Sequence, residues 1–145
     1  YAYKVYDRFK IYRPLADKYT KWRNNLTPYD IQGYEQLPKK GDLLIITKSM
    51  KDIMCLYEMG YTAISPASES TFLTPDVIDA LKLRFKRILI CFDRDVPGVK
   101  NMRKISLKTG LNGFLVHKKF QSKDISDAIK NNGFEVIKNW LKETL

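Results

Sequence analysis

The sequence predicts an α/β protein: a parallel sheet of about four strands with helices on both faces, preceded by a small N-terminal hairpin module. Two observations carry this. From Leu43 onward, short apolar runs alternate with segments of helical periodicity, the pattern that gives parallel strands joined by right-handed crossovers. Before that point the texture differs: aromatic and basic residues alternate over short stretches and no helical period is sustained. Residues 1–41 are therefore read as a small basic module of hairpin plus irregular segment. Residues 42–145 form the α/β domain with its C-terminal helices.

Within the first module, Ala2–Tyr6 and Phe9–Tyr12 alternate apolar and polar side chains around Asp7-Arg8, which suggests a hairpin, and Pro14 ends it. The stretch Tyr19-Thr20-Lys21-Trp22-Arg23 interleaves aromatic and basic residues. It suits base stacking with Lys21 and Arg23 on phosphates, and it equally suits Tyr19 and Trp22 plugging a small core. Leu37–Asp42 reads as a connecting turn.

In the second module, Leu43–Thr47 is a buried strand, and Ser49 can cap the helix that follows. The apolar face of that helix includes Ile53, Leu56 and Tyr57, and Gly60 stops it. Thr62–Ser65 is a second strand, and Thr74-Pro75-Asp76 opens a second helix. Arg87–Phe92 is a β-rich apolar run, after which Val96-Pro97-Gly98 turns the chain, with Pro97 as first residue of a helix to about Thr109. A strand at Gly113–His117, a short helix near Ile125–Lys130 and a longer one at Glu135–Leu145 complete the chain.

The 145 residues carry 26 basic and 16 acidic side chains, a formal charge of +10. Such an excess favours polyanionic partners, nucleic acid first among them, although scattered lysines also serve solubility. The excess is divided evenly: nine basic and four acidic residues lie in 1–41, and seventeen and twelve in the remainder. Cys55 and Cys91 fall on apolar faces and are expected to be reduced core residues, which suits the cytoplasm. His117 is the only histidine, so a His-rich metal site or a Ser-His-Asp triad has little material. No apolar run approaches the ~20 residues of a membrane span. Because it starts at Tyr1 rather than Met, the chain is expected to be a piece of a longer one.

The chemistry concentrates at Phe92-Asp93-Arg94-Asp95. Two carboxylates, two residues apart, emerge at the carboxyl end of a strand, where open α/β sheets place ligands. Crowded carboxylates repel unless a cation lies between them, and Mg²⁺, which prefers oxygen ligands, is the natural one. The alternative is that Asp95 caps the next helix while Asp93 is solvated.

Four stretches together resemble a topoisomerase–primase (Toprim) domain of the type found in bacteriophage primases and primase-helicases. They are Leu44–Asp52, where the family usually carries Thr-Glu-Gly-x-x-Asp; Leu56–Ser65, matching its helix end, glycine and next strand; Phe92–Lys100, its Asp-x-Asp followed by a Gly-Arg/Lys helix start; and Ser122–Ala128, similar to its Lys-Asp-x-x-Asp element. The match spans about residues 43–130, and order and spacing carry it rather than any one stretch. The resemblance implies a DNA primase core, a nucleotidyltransferase that makes RNA primers on single-stranded DNA from nucleoside triphosphates beside a fused or separate helicase. It also implies Mg²⁺ or Mn²⁺ held by Asp93 and Asp95, with Asp124 or Asp127.

The chain departs from the pattern at one place: Lys48 stands where the family has its glutamate. Lysine binds no metal and is a poor base at its usual pKa. Lys48 can instead hold a phosphate, or Glu69 can supply the missing carboxylate from a neighbouring strand end. A third option is a catalytically degenerate site kept for binding single-stranded nucleic acid. A Toprim-type nuclease shares the same carboxylate geometry. Asp52, in the first turn of its helix, suits either a structural bond or a basic partner near the site. Lys100, Arg103 and Lys104 form a basic stripe at i, i+3, i+4, and with Lys123 they complete the expected nucleotide-facing cations. The Asp124 segment can alternatively serve only to cap its short helix.

Overall fold

A computed structural model of the chain describes residues 1–68 and 72–145. The N-terminal sheet has the order β1 (Ala2–Val5), β2 (Arg8–Tyr12), β3 (Trp22–Asn24), all antiparallel. The first two strands are the expected hairpin, but the turn is Tyr6-Asp7, because Val5 pairs with Arg8. Arg8 is drawn into the strand, where its guanidinium reaches Asp30 at 3.0 Å. Tyr6 takes the strained position, with φ 52°, and its N–H donates to the Glu35 carboxylate at 2.8 Å. Further along β2, Lys10 Nζ donates to the Ala67 carbonyl at 3.1 Å, tying this sheet to the rest of the chain.

The larger sheet runs β4 (Ile31–Gln32), β6 (Thr62–Pro66), β5 (Gly41–Ile46), β7 (Phe85–Cys91), β8 (Asn112–Phe114) across its width. β5, β6, β7 and β8 are the four parallel strands that the alternation predicts. Antiparallel β4 is added at the edge, so residues 31–32 pair with the larger sheet. The Gln32 side chain is fully buried there and donates to the Pro66 carbonyl at 2.6 Å.

Among the described residues five α-helices cover the sheet: α1 (Met50–Glu58), α2 (Pro75–Arg84), α3 (Val96–Thr109), α4 (Ile125–Asn132) and α5 (Phe134–Thr144). Strand periodicity of two sorts them onto the two faces. Leu44, Ile46, Ile64, Ile88 and Ile90 point to the side packed by Ile78 and Leu81 of α2 and by Met102 and Ile105 of α3. Ile45, Ala63 and Cys91 point to the other side, against Ile53 and Leu56 of α1, Ile125 of α4, and Ile137 and Leu141 of α5. Both cysteines are free thiols on this second side, and burial pushes both pKa values up, so they serve as inert packing. No described helix is long and apolar enough to cross a membrane.

Two boundaries differ from expectation. Pro97 is the second helical residue rather than the first, since Asp95 is the cap and Val96 opens α3. The last strand ends at Phe114 rather than His117. Its continuation is diverted because Arg94 Nε takes the Val116 carbonyl at 2.5 Å, and His117 Nδ1 then accepts from Lys119 N–H at 3.1 Å to start a turn.

Candidate functional site

The carboxyl ends of β5 and β7 lie side by side, Ile46 paired with Ile90, so the loops after them meet at one rim. Lys48 leaves the first and Asp93 the second. Their side chains form an ion pair, Nζ to Oδ2 at 3.4 Å, with only 14% and 10% of each side chain exposed. Lys123 approaches the same oxygen from the opposite loop at 3.9 Å, though its side chain is 55% exposed. Burial pushes the Asp93 carboxyl above its usual range; Lys48 pulls it down, Asp124 adds to the rise, and Lys123 again opposes it.

Arg94 fixes this loop in place. Its N–H donates to the Lys123 carbonyl at 2.7 Å and its side chain grips Val116, so the Asp93 loop and the Lys123-Asp124 loop are held as one unit. Gly98 lets the chain pass close beneath them. A Cβ at Gly98 would collide with the Asp93 carbonyl and stand 3.0 Å from Asp95 Oδ1.

The remaining acidic residues divide their work. Asp95 caps α3, its Oδ1 accepting from Gly98 N–H at 2.8 Å. Asp124 caps α4, accepting from Asp127 N–H at 2.7 Å and from Ser126 Oγ at 2.9 Å. Asp127 sits in the first turn of α4, half-buried. Asp52 turns inward and is 2% exposed. It accepts from Ser49 Oγ at 2.8 Å and from Ser126 N–H at 3.0 Å, joining the start of α1 to the start of α4. Burial, the charge of Asp124 and the charge of Asp93 raise its pKa to about 6 against those two hydrogen bonds. Asp52, Asp93 and Asp124 thus share one electrostatic field. Among the described residues, no three His, Cys, Asp or Glu side chains converge closely enough to hold a metal ion by themselves. Glu69 lies outside the described residues.

The basic stripe on α3 divides. Lys104 faces a cleft whose wall also includes Lys48, whereas Lys100 and Arg103 point to solvent and are absent from that wall. On the N-terminal sheet, Tyr12 stacks on Trp22 with centroids 4.4 Å apart, and Lys21 Nζ lies 5.6 Å from the Tyr12 ring centre. Arg23 is exposed on β3. Trp22 remains 44% exposed, so the aromatic pair is a surface feature as well as a packing one. Sequence reasoning missed the roles of Arg94 and Ser126, which are polar contacts across 22 and 74 residues of chain and leave no local pattern.

The fold compares closely with bacterial and phage primases. The DnaG primase catalytic domain bound to single-stranded DNA superposes with a TM-score of 0.70 at 17% identity, over 94% of this chain and 47% of that one. The primase fragment of the bacteriophage T7 primase-helicase gives 0.71 at 16% identity, over 99% and 62%. The Escherichia coli primase catalytic core gives 0.69 at 16%, over 96% and 51%. The chain therefore spans roughly half of these larger chains, and at such identities the likeness establishes the fold. A search of curated protein sequences gives no match. The Toprim-like family model matches residues 45–129, which carry most of the parallel sheet, the Lys48–Asp93 rim and the Asp124 cap; by that match over more than half its length, the chain belongs to the Toprim-like family.

Proposed function

We propose that the chain is part of the catalytic core of a DNA primase, transferring nucleotides from triphosphates to a growing RNA primer on single-stranded DNA within a replication complex that includes a helicase. The observation that carries this is Asp93, held at the sheet rim between Lys48 and Lys123 with Asp124 sharing its field, in a chain with the primase Toprim fold.

The rim suits Mg²⁺ or Mn²⁺ of a particular kind. Its acidic donors are all oxygens, and they are too few to enclose an ion. Magnesium binds typically through one or two carboxylates, completing its shell with water and substrate phosphate. Asp93 and Asp124, with Asp95 at the neighbouring helix start, are the residues proposed to hold it, and Asp127 lies one turn further along. When bound, the ion would neutralise phosphate oxygens and sharpen the electrophilic phosphorus. Lys48 supplies a fixed positive charge where relatives carry glutamate, and so can take a phosphate oxygen that a second ion would otherwise hold. Lys123 offers a mobile cation on the other side. Arg94, Gly98 and Asp52 keep the loops in register, and such positioning is most of what phosphoryl transfer asks of a protein.

Primer synthesis on single-stranded DNA with nucleoside triphosphates and Mg²⁺, carried out with the chain in its full-length protein, tests the proposal. Asp93→Asn and Asp95→Asn should each reduce product by about 100-fold or more. Product unchanged by both substitutions would reject it.

One observation favours a second reading. The Lys48 ammonium already occupies one side of Asp93, as a cation would. If that pair has replaced the metal, the domain holds single-stranded nucleic acid without catalysis. DNA binding would then ignore EDTA while no primer appears with any divalent ion.

A further inference from the structure

The N-terminal sheet is open along one side. β1 is its edge strand, and among the described residues no strand pairs with its outer side. Tyr1 and Tyr12 exchange both backbone bonds, nitrogen to carbonyl in each direction at 2.8 Å. Antiparallel pairing alternates, so Tyr3 and Val5 also turn their backbone groups to β2, while Ala2 and Lys4 turn theirs outward. Both of these residues are exposed. Beside them runs a groove of about 440 Å³ whose lining joins β1 to Met50 and Met54, one helical turn apart on α1. Met54 is 59% exposed, and Tyr1 and Tyr3 extend the apolar lining from the strand. None of the lining residues belongs to the Asp93 rim.

An open amide edge beside a thioether-lined groove matches an extended peptide: main-chain bonds hold it, and alternate side chains enter the groove. Unbranched methionines adapt to apolar side chains of different shape. Charge narrows the choice of occupant. Two copies of this chain, each at +10, would set two Lys4 ammonium groups on one face if they paired edge to edge, which is how lysine on an edge strand discourages self-association. The same Lys4 favours an anionic strand. We infer that β1 and α1 form a docking groove for an extended segment of a partner protein in which apolar and acidic residues alternate. The apolar side chains lie against Met50 and Met54, and the acidic ones fall on the face that carries Lys4. The four residues of β1 span about 13 Å, so four or so partner residues are read. A single strand of nucleic acid suits the groove less, because the lining offers its phosphates Lys4 but also the carboxylate of Glu35. The inference does not depend on the proposed primase activity.

Fluorescence anisotropy of a labelled peptide, acetyl-Asp-Leu-Asp-Phe-Asp-Ile-Asp-amide, titrated with the full-length protein tests the groove. The peptide should bind with a dissociation constant below about 100 μM. Lys4→Glu and Met54→Asp, both at exposed positions, should each weaken it by about tenfold or more with an unchanged melting temperature. A peptide carrying lysine in place of every aspartate should bind at least about tenfold more weakly. N-methylation of the peptide tests strand pairing without touching the protein. Methyl groups on one alternate set of amides should abolish binding, and on the other set should change it by less than about threefold, because only one set faces β1. Absence of binding, equal loss from both methylated sets, or full binding by Lys4→Glu and Met54→Asp would overturn the inference. Oligo(dT) that displaces the peptide and is itself weakened by Met54→Asp would give the edge to nucleic acid instead. A protein dimer that dissociates as the peptide binds would give it to a second copy.

Discussion

Asp52 carries the heaviest electrostatic load of any single residue here. It is almost wholly buried, sits in the field of Asp124 and Asp93, and ionises at about 6 instead of the usual carboxylate value. An unfolded Asp ionises near ~3.9, so between that value and about 6 the folded state holds a proton that the unfolded chain has released. The sign follows: this group's contribution is neutral below the unfolded pKa, and stability is lost as pH climbs through the window. Asp93, also raised, acts in the same direction. Denaturant unfolding in EDTA should therefore show the chain more stable at pH 5 than at pH 7, with about 1 kcal/mol of that difference traceable to Asp52. Asp52→Asn should flatten that difference, and a difference that persists unchanged would remove Asp52 as its source. In the sequence, Asp52 was recognisable as a candidate but not as an inward one. Its partner Ser126 lies 74 residues away, and no local spacing could announce that bond.

Elements were legible where one strong local signal set them. Apolar runs gave β5 and β7, Ser49 gave the start of α1, and Gly60, at φ 90°, gave its end. The boundaries that moved did so through side chains from elsewhere, as when Arg94 captured the Val116 carbonyl and cut β8 short. β4 was invisible because two residues, Ile31 and Gln32, cannot display a period. The start of α3 shows how one residue can serve both fold and site. Asp95 caps the helix through Gly98 N–H, and its charge lies beside the proposed metal position. Two substitutions separate those roles. Asp95→Asn keeps a capping oxygen and should change stability by less than about 0.5 kcal/mol, while primer synthesis falls. Asp95→Ala removes the cap as well and should cost about 1 kcal/mol more, measured as a shift in denaturant midpoint. Equal activity in Asp95→Asn and the parent would leave Asp95 a cap and nothing else.

Across the whole molecule, two of the places where basic side chains gather lie apart in the fold. One is the N-terminal sheet, where Tyr12 and Trp22 stack with Lys21 and Arg23 around them. The other is the cleft between α2 and α3. Composition favoured a polyanion partner but could not say where on the fold it would bind, since the surplus is spread evenly along the chain. The division has a measurable consequence. Single-stranded DNA held along the N-terminal sheet releases counterions in proportion to the phosphates neutralised, with log affinity falling by about 0.7 per phosphate for each tenfold rise in salt. Reversing Lys21 and Arg23 to glutamate should weaken oligo(dT) binding and reduce that slope by about 1.4, two phosphates' worth. Reversing Lys104 and Lys108 should leave that affinity and slope unchanged. Fluorescence anisotropy of labelled oligo(dT) across a salt series reads both. If both pairs lowered affinity and slope to the same extent, the two basic surfaces would be one continuous track rather than separate sites.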